Sequence, residues 1–134
     1  KESEGLMIMT NDGELIQRMM KGANRHEKEY VVKVDREITH SFLERMSNGV
    51  YLKELDETTR PCSLEKLGKY TFQIVLTQGL NRQIRRMCAY FGYEIKRLVR
   101  IRIMNVELKD LKTGEYRVLE GEELFNLYRL CGMK

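Results

Sequence analysis

Cysteine is scarce and badly placed for chemistry: Cys62, Cys88 and Cys131 are odd in number, and no two form a Cys-x-x-Cys pair. That spacing argues against zinc and dithiol redox motifs. Histidine is limited to His26 and His40, and no glycine-rich phosphate loop is present, so the sequence offers neither a histidine cluster for a metal nor a cradle for a nucleotide phosphate. No apolar run approaches the roughly 20 residues of a membrane span, and no signal-peptide pattern opens the chain. Internal repeats and low-complexity segments are absent as well. Cys88 and Cys131 fall on apolar helical faces, and the expectation is reduced core thiols in a cytoplasmic protein.

What is present fits one domain. The 134 residues are 42% hydrophobic and 33% charged, enough to bury a core in an ordinary globular chain. The net charge of +4 conceals a patch. Residues 81–102 hold seven basic side chains against Glu94, leaving 17 basic and 19 acidic residues elsewhere. A local basic surface is the usual footprint of phosphate binding. A solvated charged face is the plainer alternative.

Hydrophobic periodicity gives the elements. The run from Gly5 to Thr10 predicts a buried strand, and Asn11 with Glu14 resembles a capping box opening a helix over 12–20. That helix presents Leu15, Ile16, Met19 and Met20. Residues 21–28 read as a loop, and alternation from Tyr30 to Asp35 predicts a strand. Thr39 or Ser41 caps a helix carrying Phe42, Leu43 and Met46, which Asn48 and Gly49 end. Val50 to Leu52 is a short strand, 53–60 a charged turn, and Pro61 and Cys62 open an extended segment. Tyr70, Phe72, Ile74 and Leu76 alternate along the clearest strand. Val106 to Leu108 and Tyr116 to Leu119 flank a turn at 112–115 as a hairpin, and a helix from about 121 presents Leu124, Leu127, Tyr128 and Cys131. The class is α+β, a mainly antiparallel mixed sheet flanked by helices.

The stretch from Thr77 to Cys88 joins a strand end, a glycine turn and a helix start. Asn81 is read as the N-cap, and Ile84, Met87, Cys88 and Phe91 form one apolar helical face. Arg82 and Arg86 lie opposite that face, whereas Arg85 lies on its flank, where a guanidinium reaches a cleft without full burial. In the next strand Lys96, Leu98, Arg100 and Arg102 share one face, a basic ladder suited to a polyanion.

The run GLNRQIRRMCAYFGYEIKRL (79–98) resembles the signature of ribosomal RNA pseudouridine synthases, in the branch of the small-subunit synthase and its large-subunit relatives. The opening KESEGL resembles the tail of that family's G-R-L-D-K-x-S-E-G-L motif. The resemblance covers essentially the whole chain, 1–134. It implies isomerisation of uridine to pseudouridine in ribosomal RNA without a cofactor or metal. It also implies that Arg85 pairs with a catalytic Asp, that Tyr30 of the K-x-Y element packs on the base, and that Leu98 lies at the active site. By residue type alone, Tyr30 also reads as a tyrosine that caps the core with its hydroxyl in water. Asn81, Arg82, Gln83, Arg86, Lys96, Arg100 and Arg102 are then the residues expected to position RNA.

The motif's Asp would directly precede Lys1. The expectation is therefore a partial catalytic domain, without its first part or an N-terminal S4-type domain, and inactive by itself. A sheet edge left open by truncation would favour a homodimer. A non-catalytic RNA-binding module fits the basic and aromatic content nearly as well. A protein-interaction fragment fits less well.

Overall fold

The computed structural model describes residues 4–21 and 25–133. Lys1, Glu2 and Ser3 of the opening motif lie outside the described residues, as do 22–24 of the expected loop. In chain order the elements are β1 (Glu4–Gly5), α1 (Gly13–Met20), β2 (Lys28–Val34), α2 (His40–Ser47), β3 (Tyr51–Leu52) and β4 (Glu57–Thr58). They continue with β5 (Ser63–Lys66), β6 (Thr71–Leu76), α3 (Gln83–Tyr90), β7 (Ile95–Ile103), β8 (Val106–Glu107) and α4 (Gly121–Leu130). The main sheet runs β1-β7-β2-β6-β5, with β8 folded back on β7; β3 and β4 form a separate ribbon. Only β1 pairs in parallel, and the other pairs are antiparallel, so the expected α+β class holds.

Two apolar clusters hold the helices to this sheet. In the larger, Phe42 and Met46 of α2 and Ile84, Met87 and Cys88 of α3 bury against Val32, Val34, Phe72 and Ile74. Burying each such side chain contributes about 1.5–3 kcal/mol. Phe42 meets Phe72 edge-on, with ring centroids 5.5 Å apart. The alternation of Phe72, Ile74 and Leu76 is the reason β6 faces this core. In the smaller cluster Leu15 and Met19 of α1 pack with Ile103, Met104, Val106, Leu127 and Cys131.

Several expectations need correction. The apolar run after Gly5 is not a buried strand: β1 ends at Gly5, Leu6 is buried, and Met7 and Met9 are exposed. In α1, Ile16 and Met20 also face out, leaving Leu15 and Met19 as its buried stripe. The hairpin at 112–115 does not form. Chain reversal occurs earlier, at Met104 and Asn105, where β7 turns into β8, and Tyr116 and Val118 are exposed. The homodimer expectation gains no support either, since edge β5 has only four residues and exposes Glu65 and Lys66.

The α1 cap is Asp12 rather than Asn11. Its Oδ1 accepts from the Leu15 amide (3.2 Å), and its Oδ2 accepts from the Tyr128 hydroxyl (2.9 Å), which ties α1 to α4. The Leu15 amide first, and the Tyr128 hydroxyl second, hold the Asp12 carboxyl below its ordinary 3.8. A depressed folded-state value contributes stability that is complete above 3.8 and is lost as pH falls through the lower folded value. Asp12→Asn keeps a cap acceptor but cannot titrate. Thermal denaturation across that acid window is expected to show a shallower pH dependence for the variant than for the unmodified protein.

Candidate active site

A cleft of about 420 Å³ opens where β1 and its extension, β2, β7 and the start of α3 converge. One wall carries Tyr30, whose cross-strand neighbours are Arg100 on β7 and Ile74 on β6. The register places Leu98 opposite Val32, so Tyr30, Leu98 and Arg100 share a sheet face. The facing wall is the loop before α3 with Arg82, Gln83, Ile84 and Arg85. Arg82 and Arg85 also line a second, open hollow of about 640 Å³ that reaches Lys96, so they form the ridge between the two.

The start of α3 is built differently from the reading with Asn81 as cap. Arg82 occupies the cap position in the left-handed conformation (φ 50°, ψ 39°), and no side chain caps the helix. The Asn81 side chain is used by Arg86, whose Nη2 donates to Oδ1 and whose Nε donates to the Asn81 carbonyl, both at 2.9 Å. Gln83 stabilises the turn instead. It is 4% exposed, its Oε1 accepts from the Leu80 amide, and its Nε2 donates to Gln78 Oε1 at 3.4 Å. Arg60 completes the brace: its amide donates to Gln78 Oε1 and its guanidinium to the Thr77 carbonyl, both at 2.6 Å. These bonds fix the loop that carries Arg85.

The basic ladder on β7 is broken. Register shifts against β2 leave Lys96 and Ile101 as extra residues, and each extra residue reverses the alternation of faces. Only Leu98 and Arg100 remain on the cleft side. Arg102 is turned to the opposite face, where it donates to Glu29 at 2.6 Å and Glu27 at 3.0 Å. Lys96 lies in the second hollow, 3.8 Å from Glu94.

The cleft thus brings together Tyr30, Arg82, Gln83, Arg85, Leu98 and Arg100, and does not include Asn81, Arg86, Lys96 or Arg102. Sequence reasoning missed Leu76 and Gln78 as lining residues. Leu76 had a signal in the β6 alternation; Gln78, a lone polar residue in a turn, had none. The described acid lining the cleft is Glu4, and both its oxygens accept from Arg97, at 3.0 and 3.1 Å. That hydrogen bonding lowers the Glu4 carboxyl below its ordinary value. Burial pushes the Cys88 thiol up to about 12 even with Arg85 nearby, so it is an inert core group rather than a nucleophile. Among the described residues, no group of three histidine, cysteine or acidic side chains is arranged to hold a metal ion.

Comparison with known proteins agrees with this layout. The family model for RNA pseudouridylate synthase matches residues 1–90. The dual-specificity RNA pseudouridine synthase RluF of Escherichia coli is 48% identical over 130 residues, 97% of this chain and 44% of that protein. Ribosomal large subunit pseudouridine synthase B of Buchnera aphidicola is 34% identical over 98% of this chain and 55% of its own length. A crystal structure of a pseudouridylate synthase superposes with a TM-score of 0.83 at 29% identity, covering 90% of this chain and 52% of that one. The chain spans about half the length of these relatives or less. With the family model matching well over half of its residues, the chain belongs to the RNA pseudouridylate synthase family.

Proposed function

We propose that the full-length protein isomerises uridine to pseudouridine in ribosomal RNA and that the cleft between β2, β7 and α3 receives the target base. The observation that carries this reading is that Tyr30 and Arg85, from distant parts of the sequence, line one cleft. The base must leave its stack to reach such a pocket. Arg82 and Arg100 on the rim supply cations for the flanking phosphates. In the reaction the bond from N1 to the sugar breaks, the base turns, and C5 joins the sugar. The C5 proton is lost and N1 gains one.

An acid beside the sugar is required, and the resemblance places it just ahead of Lys1. A guanidinium at 4–6 Å lowers a carboxylate by about 1–3 units, which keeps it ionised in a desolvated cleft. Arg85 has that role in this reading, and Tyr30 packs on the base and moves a proton. Glu4, held by Arg97, is not a substitute for the acid. Release of tritium from C5-labelled uridine tests the assignment. The full-length protein is expected to turn over, and this chain alone is not. Tyr30→Phe in the full-length protein should lower kcat by roughly 10²–10⁴-fold, the usual contribution of a proton-transfer group, with RNA affinity retained. Turnover by this chain alone overturns the assignment of the acid, and a full rate in Tyr30→Phe overturns the proton role.

A further inference from the structure

Two cations share the cleft-side face of the sheet around Tyr30, and no described acid balances them. Lys28 lies two residues before Tyr30 on β2, hence on the same face, and pairs in register with Leu76, which lines the cleft. Lys28 is half-buried, and Arg100, the cross-strand partner of Tyr30, is its diagonal neighbour on that face. Arg100 donates through Nε to the Leu6 carbonyl at 2.8 Å. Among the described residues, neither Lys28 nor Arg100 has a carboxylate within ion-pair distance.

The reason is topological. Glu27 and Glu29 flank Lys28 in sequence and are its obvious partners, but both bind Arg102. The extra residue Ile101 turns Arg102 to the far face, where it takes both acids, while Arg100 stays toward the cleft. Without that shift Arg100 and Arg102 would share a face. A half-desolvated lysine beside an arginine costs the free protein stability through both burial and repulsion. Burial first, and Arg100 second, pull the Lys28 ammonium below its ordinary value. An anion bound there relieves both costs.

We propose that Lys28 and Arg100 form a binding site for one phosphodiester of the RNA backbone, that of a nucleotide flanking the target uridine. This rests on the reading of the cleft given above. Phosphate suits the site because its spread charge can accept from the ammonium and the guanidinium together. Lys28 anchors the strand and takes no part in bond making.

The test uses the full-length protein with transcripts of both ribosomal RNAs, following affinity against salt and steady-state tritium release. Lys28→Met keeps the alkyl packing and removes the charge. It is expected to raise KM roughly tenfold, the scale of one lost charged hydrogen bond, with kcat unchanged. It should reduce the slope of log affinity against log salt by about 0.7–0.9, the value of one phosphate contact. The melting temperature of the free variant should be no lower than that of the parent, because an unfavourable charge has been removed. Lys28→Arg is expected to restore the salt slope. Unchanged KM and slope in Lys28→Met overturn the proposal. So does a fall in melting temperature that Lys28→Arg fails to reverse, since that marks a purely structural lysine. If Arg85→Ala abolishes turnover while Lys28→Met changes nothing, the phosphate site fails and the reading of the cleft stands. A full-length protein that binds neither transcript overturns both.

Discussion

Gly5→Ala in the full-length protein is expected to lower kcat for pseudouridine formation by roughly 100-fold, the scale set by about 1 Å of misplacement at a catalytic group. Gly5 has φ of +120°, a conformation that L side chains rarely adopt, and an added Cβ would fall inside the Arg100 carbonyl and amide. Strain of this kind costs about 1–3 kcal/mol before the clash is counted. Relief comes by lifting β1 from β7. That lift breaks the 2.8 Å bond from the Leu6 amide to the Arg100 carbonyl and the return bond from Arg100 Nε to the Leu6 carbonyl. Leu6 is drawn from the smaller core at the same time. Glu4, Gly5, Leu6 and Met7 form one side of the cleft, and the proposed acid would enter along them, so the loss should appear in kcat more than in RNA affinity. Gly13→Ala is the control, because a Cβ there meets nothing within 4 Å. Its activity and melting temperature should match the parent's. Equal behaviour of the two variants would remove β1 from the account.

The sequence showed its packing clearly where one periodicity ran unbroken. Phe72, Ile74 and Leu76 on β6 and Ile84, Met87 and Cys88 on α3 were legible because each faces one core throughout. Alternation failed on β7 because an inserted residue reverses every later side chain, and nothing in Lys96 or Ile101 announces an insertion. The continuous apolar run at 6–9 misled for a related reason. Methionines tolerate exposure, and a run without polar residues cannot show which of them face out.

At the site, the motif pointed to Arg85 and Tyr30, which line the cleft, with the helix flank of Arg85 as independent support for its position. The cap was misread because local preference favoured Asn81, whereas the buried Gln83 amide stabilises the turn through Leu80 and Gln78. Such a brace depends on Arg60, distant in sequence, and is invisible without coordinates. That no described acid lies beside Lys28 and Arg100 was equally hidden, since the sequence neighbours of Lys28, Glu27 and Glu29, suggest the opposite.

Arg85 and Arg86 are adjacent, identical in charge and on one helix, so comparing them separates position from basicity. Arg85 lines the cleft, whereas Arg86 does not. Arg86 bonds Asn81 and lies 3.8 Å from an exposed Glu54 carboxylate. In the proposed reading Arg85 is the cation that keeps the acid ionised and aligned, so for Arg85→Ala kcat is expected to fall by roughly 10³-fold, the scale of a lost electrostatic stabiliser. Arg86→Ala removes two bonds to Asn81 and a weak pair with the exposed Glu54, all outside the cleft, and kcat should stay within about fivefold of the parent. Circular dichroism and melting temperature of both variants establish that each is folded. The decisive measurement is single-turnover tritium release by the full-length Arg85→Ala and Arg86→Ala proteins at saturating ribosomal RNA. The account predicts that the first is all but silent and the second is close to normal; equal losses, or an active Arg85→Ala protein, would contradict it.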